Sequence, residues 1–360
     1  MMIDTRNTAI LILTCNDFEA LEITLNQVLK TTPKDVKIYL LSNCKGLPGA
    51  DVCEQINSIA AHAQYGRIVS INPGKCQPAY FGIRDAIRDH IKEEYIIKLD
   101  DDVFPVAENW FQELTACYEA HQGPSLAYVS GMVNNNPYGF AQLVQLPALK
   151  DSYAKAMPFL HQAGLFAPGY QKIRINKPGE ADPGGWGTVW QFPQLARWIH
   201  NETTLQPDRY ISLIRDLPDA SFDVSVRYSI NVMLFQREFW EKIAGSGSDD
   251  EEMINKYCYE HNMEVFISQK TPFVHMYFGP QRKFLLDMPS SIRKIYGPLN
   301  EIAGNELVQE WSRLKQDAIY RRRFPLPRKN VPLISLFLGT QCVISLVAIF
   351  LYYSKIYKKS

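Results

Sequence analysis

The first hundred residues alternate between short apolar runs and segments with helical spacing. Four of the apolar runs have the length of buried strands, and they cover residues 9–14, 36–41, 67–71 and 95–99. Three segments between them carry apolar residues every three or four positions, which predicts helices over residues 17–29, 55–63 and 79–91. Strands that alternate with helices in this way form a parallel, doubly wound sheet with right-handed connections.

The rest of the chain is less regular. Apolar runs predict further strands at residues 126–133, 228–235 and 264–268. Helical spacing predicts helices at residues 237–243, 249–260 and 290–320, whereas residues 139–153 fit no single element. We therefore expect one half of the folded part over residues 5–120, a second half over residues 121–320, and a basic, proline-containing linker over residues 321–330.

The C-terminal apolar run at residues 331–353 contains no charged residue. Its 23 residues would rise about 34 Å as a helix, which is enough to cross the core of a bilayer. Five basic residues precede the run and three follow it: Arg321, Arg322, Arg323, Arg328 and Lys329, then Lys355, Lys358 and Lys359. This pattern predicts a single-pass C-terminal transmembrane helix with the large domain on the cytoplasmic side. The alternative is a buried core helix.

Composition narrows the class of protein. Hydrophobic residues make up 46% of the chain and charged residues 21%, so a sizeable core is possible and global disorder is excluded. The 38 basic and 38 acidic residues balance, which gives no electrostatic basis for a nucleic-acid partner. The seven cysteines are irregularly spaced, with no CxxC pair, and this indicates free thiols in a reducing compartment.

Three adjacent carboxylates, Asp100, Asp101 and Asp102, follow the apolar run at residues 95–99. Their mutual repulsion at the end of a buried strand requires a compensating charge, and a divalent cation such as Mn²⁺ or Mg²⁺ prefers carboxylate and diphosphate oxygens. If strand geometry continues through the triplet, Asp100 and Asp102 point to the same side. The alternative is a solvated acidic turn.

Other polar side chains follow the first two predicted strands: Thr14, Asn16 and Asn43. Ligands of doubly wound sheets bind outside the carboxyl ends of the strands, so these residues and the acidic triplet predict one binding edge. Lys75 follows Gly74 in the loop after the third strand, where it fits either a phosphate contact or a solvated loop lysine.

The chain resembles family-2-type glycosyltransferases of the GT-A fold over residues 8–280. The resemblance rests on a T-x-N at Thr14-Cys15-Asn16, a polar strand end at Ser42-Asn43 and a D-x-D at Asp100-Asp101-Asp102. The family's A-R-N-x-G signature has no counterpart here, and Asn43 stands where the family usually has Asp. The resemblance implies an α/β, doubly wound mixed sheet, with the nucleotide sugar bound by residues 5–120 and the acceptor by residues 121–320.

The same resemblance implies roles for the acidic residues. Asp100 would lie near the nucleoside, Asp101 beside the nucleotide sugar, and Asp102 would hold the metal on the diphosphate, with Asp100 as a further ligand. Asn43 would hydrogen-bond the base of the donor, a UDP-sugar in preference to a GDP-sugar. His275 would complete the metal site, and Arg282 beyond it would contact phosphate. For His275 the alternative is a hydrogen-bonded structural residue.

Two further motifs complete the candidate site. Ser248 and Glu251 have capping-box spacing, and acids in a first helical turn are favoured by the helix dipole, which accounts for them structurally. By the resemblance, Asp249 and Asp250 take the family's E-D position, with Asp250 as the general base that deprotonates the acceptor hydroxyl. Trp186, between glycines, could stack on an acceptor sugar or anchor a loop.

Together these features predict a membrane-anchored, metal-dependent, inverting hexosyltransferase. Its donor would be a nucleoside diphosphate sugar and its acceptor a hydroxyl of a glycan or lipid-linked molecule. A nucleotidyltransferase on a related fold is one rival, although the residues after Thr14 lack the Gly and Lys that grip a triphosphate. A non-catalytic, membrane-tethered sugar-binding protein is the other. The sequence leaves the oligomeric state open.

Overall fold

A computed structural model describes residues 3–14, 17–42, 67–73, 77–156, 189, 193–225, 228–243 and 250–297. The chain divides into two units, residues 1–312 and 313–360, and every described residue belongs to the first. The described strands are β1 Thr8–Thr14, β2 Lys37–Ser42, β3 Ile68–Ile71, β4 Tyr95–Asp100, β5 Val103–Pro105, β6 Leu126–Val133, β7 Ala220–Phe222, β8 Val232–Gln236 and β9 Glu264–His275.

Ten α-helices lie among the described residues. They are α1 Phe18–Thr31, α2 Ala79–Asp89, α3 Trp110–His121, α4 Pro137–Leu143, α5 Pro147–Ala156, α6 Pro193–Ile199, α7 Pro207–Ile214, α8 Arg237–Lys242, α9 Asp250–Glu260 and α10 Met288–Tyr296. A π-helical turn, His200–Thr204, joins α6 to α7, and a 3₁₀ helix, Gly279–Phe284, follows β9.

One mixed sheet contains all of the described strands, in the order β3-β2-β1-β4-β8-β6-β9-β5, with β7 paired to β9. The first four strands are parallel, as the sequence predicts. Strand β8 then pairs antiparallel with β4, and β5 pairs antiparallel with β9. The prediction of an α/β fold with a mixed sheet is therefore confirmed.

Apolar side chains bury both faces of the sheet. β1 is buried along nearly its whole length, so its sequence reads as a continuous apolar run rather than an alternating one. One core cluster includes Ile83 and Ile87 of α2 with Trp240 of α8. A second includes Phe104 of β5 and Tyr210 of α7. Helices thus cover the sheet on both sides, which leaves its edges and strand ends as the places for a site.

Several predicted elements need correction. The strand expected at 228–235 begins only at Val232, and β9 runs to His275 rather than ending at residue 268. Its extension was missed because polar residues and a proline interrupt the apolar pattern where the register with β6 shifts. The ambiguous stretch 139–153 overlaps two helices, α4 and α5, each of which begins with proline.

Other predicted elements fall wholly or partly outside the described residues. They are the helix at 55–63, the part of the 290–320 helix beyond α10, and the linker and transmembrane segment at 321–353. Among the residues that the structure describes, no helix has the length and apolar character to cross a bilayer.

Candidate functional site

The acidic triplet lies at the carboxyl end of β4, inside the fold. Asp101 and Asp102 are only 7% and 8% exposed, and the Asp100 side chain is 25% exposed. Asp100 is paired with Leu13 at the end of β1, so two parallel strands deliver their carboxyl ends to this point. An acidic turn on the outer surface is therefore excluded.

The triplet does not continue the geometry of the strand. β4 ends at Asp100, residues 101–102 form a turn, and β5 begins at Val103. Strand geometry therefore does not continue through the triplet. The expectation that Asp100 and Asp102 point to the same side depended on such a continuation, so its premise is wrong. The turn instead directs the two carboxylates to different partners.

Asp102 faces His275. Val103 pairs with His275 across β5 and β9, and Asp102 Oδ2 lies 3.5 Å from His275 Nε2. His275 Nδ1 lies 3.0 Å from the Asn135 carbonyl oxygen. A carbonyl oxygen only accepts, so Nδ1 carries a proton, and in the neutral ring the lone pair is on Nε2 and faces Asp102. Burial lowers the pKa of His275, but the Asp102 carboxylate more than offsets this and the net pKa is raised.

Two consecutive asparagines after β6 hold His275 in this orientation. Asn134 Oδ1 accepts from the backbone N–H of His275 (3.2 Å). Asn135 Nδ2 donates to Gln281 Oε1 (3.0 Å), and Gln281 Nε2 donates back to Asn135 Oδ1 (3.3 Å). Asn134, Asn135 and Gln281 are fully buried, so this network fixes the imidazole against movement.

Asp100 belongs to a second cluster. Lys98 Nζ lies 2.7 Å from Asp100 Oδ1 and 3.8 Å from Asp250 Oδ2. Asn231 Nδ2 donates to the other Asp100 oxygen (3.1 Å), and Lys98 also donates to the Ile230 carbonyl oxygen (2.9 Å). Burial lowers the pKa of Lys98, but the two carboxylates outweigh burial and raise it, so the side chain is an ammonium.

The N-terminus of α1 contributes a third group. Asp17 Oδ1 caps the helix by accepting from the backbone N–H of Ala20 (3.1 Å). Its other oxygen accepts from the Tyr277 hydroxyl (2.7 Å) and pairs with Arg282 Nη2 (3.1 Å). Arg282 also stacks 4.9 Å from the centre of the Tyr277 ring. Burial lowers the pKa of Arg282, and the charges of Asp17, Asp102 and Asp101 raise it overall, which places this cation in the field of the acidic turn.

The structure thus brings six of the predicted residues together and leaves others undescribed. Around the carboxyl end of β4 lie Asp100, Asp101, Asp102, His275 and Arg282, and Asp250 is connected to them through Lys98. Thr14 is buried at the end of β1, opposite Ser42. The remaining predicted site residues lie outside the described residues: Asn16, Asn43, Lys75, Trp186 and Asp249.

Sequence reasoning missed Lys98, Asp17 and Asn135. Lys98 left a usable signal, because it is the only charged residue inside an otherwise apolar run that ends in acids. A lysine in a buried strand needs an oppositely charged partner, and Asp100 follows Lys98 two residues later in the sequence. Asn135 left no such signal, since its contact with His275 depends on the pairing of β6 with β9.

Comparisons with known proteins give structural likeness only. No family model matches the chain, and no curated protein matches it. The mannosyltransferase PcManGT from Pyrobaculum calidifontis, solved with GDP-Man and Mn²⁺, matches with a TM-score of 0.40 and 11% identity over 94% of this chain and 80% of its own. GalNAc-T7, solved with UDP, GalNAc and Mn²⁺, matches with a TM-score of 0.41 and 13% identity over 90% of this chain and 59% of its own.

Proposed function

We propose that this protein is a glycosyltransferase that moves a sugar from a nucleoside diphosphate donor to an acceptor hydroxyl. The observation that carries the proposal is the buried Asp102–His275 pair at the carboxyl ends of the parallel strands. This pair offers one carboxylate oxygen and one imidazole nitrogen, and Arg282 adds a positive charge beside it. An anionic diphosphate with its cation suits this combination of charges.

Asp102 and His275 fit a divalent cation, Mn²⁺ or Mg²⁺. The Nδ1 proton of His275 is held by Asn135, so Nε2 is the atom available for ligation. The observed 3.5 Å between the two donor atoms is close to the roughly 3 Å separation of neighbouring ligands around an octahedral ion with bonds of about 2.1 Å. When bound, the cation would neutralise charge on the diphosphate leaving group. Asp100 is the further predicted ligand, although its oxygens are engaged by Lys98 and Asn231.

Asp250 is our candidate for the general base. It is the first residue of α9, its side chain is 17% exposed, and Lys98 connects it to the donor side of the site. From there it would accept the proton of the acceptor hydroxyl as that hydroxyl attacks the anomeric carbon. A direct attack of this kind inverts the anomeric configuration. Asp249, next to it, remains the alternative base.

The identity of the substrates is also part of the proposal. Asn43 and Asn16 would contact the nucleoside of a UDP-sugar in preference to a GDP-sugar, Lys75 a phosphate, and Trp186 the acceptor. The charge-free run at 331–353 supports a single-pass anchor, and the five basic residues before it against three after it support a cytoplasmic catalytic domain. A glycan or lipid-linked acceptor near the membrane would suit such an anchor.

Calorimetric titration of the full chain with UDP, UTP, GDP and GTP, each with and without Mn²⁺, tests the proposal. We expect one nucleoside diphosphate to bind only when Mn²⁺ is present, and a panel of its sugar conjugates to show hydrolysis or transfer. Preference for a triphosphate would instead indicate a nucleotidyltransferase. Absence of nucleotide binding under all conditions would refute an enzymatic role and favour a sugar-binding protein.

A further inference from the structure

A second group of metal-ligating side chains lies away from the candidate site. Cys117 and His121 are four residues apart on α3, which places them on one face of the helix. Asp219 comes directly before β7, the strand that pairs antiparallel with β9. The ligand atoms of these three residues all lie within 4.8 Å of one another.

Packing holds the three side chains in place. Cys117 is 1% exposed, and the His121 ring lies flat on the Phe266 ring, with centroids 3.7 Å apart and an angle of 9° between the planes. The side chains of His121 and Asp219 retain exposures of 28% and 19%. Cys117 and the stacked His121 ring are therefore held by the packing around them, while His121 and Asp219 also face solvent.

The polar atoms of the cluster satisfy one another only in part, since the Cys117 thiol hydrogen-bonds the Asp219 carboxylate and also interacts with Ser268. Asp219 Oδ1 is buried and has no hydrogen-bond partner among the described residues. His121 Nε2 lies 3.6 Å from Asp219 Oδ2, which is too long for a hydrogen bond. Burial raises the pKa of the Cys117 thiol, and the nearby Asp219 carboxylate raises it further. A cation placed among the three groups would reverse each of these unfavourable features.

From this geometry we propose that Cys117, His121 and Asp219 form a binding site for a zinc-class divalent cation. Sulfur, imidazole nitrogen and carboxylate oxygen are the three ligand types that Zn²⁺ takes in proteins, and a water on the exposed side supplies the fourth. Binding displaces the thiol proton to the buffer. Mn²⁺ and Mg²⁺ prefer oxygen ligands, so the two proposed metal sites would differ in the cations they select.

One side chain beside the cluster carries a positive charge. Lys270 interacts electrostatically with Cys117 and Asp219, but its ammonium pairs with Glu113 at 2.8 Å. Glu113 therefore balances the charge of Lys270 beside the cluster. A bound metal would connect the end of α3 to the β7–β9 edge of the sheet. This point on β9 lies about seven residues before His275, or roughly 20 Å from it. The site would be structural rather than part of the transfer reaction.

Titration of the metal-free full chain with Co²⁺ tests this inference, because a Co²⁺–thiolate bond gives a charge-transfer absorption that oxygen and nitrogen ligands do not. We expect the band to appear at one equivalent, to disappear in Cys117→Ser, and to be displaced by Zn²⁺. Cys258→Ser is the matched control, since Cys258 is the other described free cysteine and is equally buried. Asp102→Asn should also keep the band, which separates this site from the candidate transferase site.

His121→Asn provides a second test in case the Cys117→Ser variant does not fold, because the His121 side chain is partly exposed. We expect at least about a tenfold loss of Co²⁺ and Zn²⁺ affinity with unchanged circular dichroism, since loss of even an outer-shell partner costs this much in other metal sites. A chain without the thiolate band, or with a band that survives Cys117→Ser, would overturn the proposal. Neither outcome bears on nucleotide binding.

Discussion

Lys98 and Asp100 form an ion pair of 2.7 Å on the same strand, and the lysine side chain is only 2% exposed. Residues two apart on a strand face the same side, so β4 supplies both charges to one position. Asp250 on α9 approaches the same ammonium at 3.8 Å. The buried cation thus connects the predicted donor and acceptor sides of the site.

Replacement of Lys98 by Met tests the importance of this connection. Removal of one partner leaves Asp100 and Asp250 without their shared cation, and breaking a buried pair costs about 3 kcal/mol or more of unfolding free energy. We expect a loss of that size in urea denaturation, together with a reduced kcat. The matched control is Lys256→Met, which removes an exposed pair with Glu260 and should cost less than about 1 kcal/mol. Equal losses in the two variants would contradict the assignment.

Asp102→Asn is expected to remove metal-dependent turnover. The change keeps the size of the side chain but replaces the charged oxygen that faces His275 with a weaker ligand. We expect at least about a hundredfold loss of Mn²⁺-dependent donor turnover, in line with the several kcal/mol that a metal contributes to charge stabilisation. Asp223→Asn, an exposed acid after β7, should behave as wild type. Full activity of Asp102→Asn would remove Asp102 from the site.

Gln281→Leu tests a positioning role. Gln281 does not approach the metal position in any described contact, but it exchanges two hydrogen bonds with Asn135, whose carbonyl orients His275. Loss of such support typically weakens metal binding by about 10–100-fold. The measurement is the Kd for Mn²⁺ by calorimetry, with the melting temperature as the check on folding. A stability loss with unchanged Mn²⁺ affinity would reduce Gln281 to a structural residue.

Much of this arrangement can be predicted from the sequence. The part that cannot be predicted depends on pairing between residues far apart in the chain. The four parallel strands and the acidic triplet follow from apolar runs and the polar residues that end them. The partner of Asp102 was found by resemblance, because β5 is too short to show a pattern and its pairing with β9 joins residues far apart in the chain. The Lys98–Asp250 contact was missed for the same reason, since it needs β4 and α9 to meet.

Arg282→Met should weaken binding of the nucleoside diphosphate. The Arg282 side chain is 43% exposed, so its loss removes a cation from the site without opening a core cavity, and the melting temperature measures the separate cost of leaving the buried Asp17 without this ion pair. A charge-assisted hydrogen bond contributes about 1.5–3 kcal/mol, which corresponds to a loss of roughly 10–150-fold in affinity. Calorimetry with UDP and Mn²⁺ measures this change. Arg197→Met, which breaks an exposed pair with Asp287, is the control and should bind normally.

We expect His200 to make the stability of the fold depend on pH. The side chain is fully buried, and it accepts from the Thr204 hydroxyl at Nδ1 (2.7 Å) and donates from Nε2 to the Met276 carbonyl (2.8 Å), which satisfies the neutral ring. Burial lowers its pKa from 6.5 to about 3. The unfolded chain therefore binds a proton between those values and the folded chain does not.

The sign of the effect follows directly. The contribution of His200 to stability is complete above pH 6.5, falls as the pH drops, and levels off near the folded pKa of about 3, a total of roughly 5 kcal/mol. Urea denaturation between pH 7 and pH 4 measures the larger part of this contribution, with His200→Gln as the reference that cannot titrate. We expect the stability difference between the two proteins to shrink as the pH falls, because only the wild type loses the contribution. A difference that stays constant over this range would mean that His200 takes up its proton at the same pH in the folded and the unfolded chain.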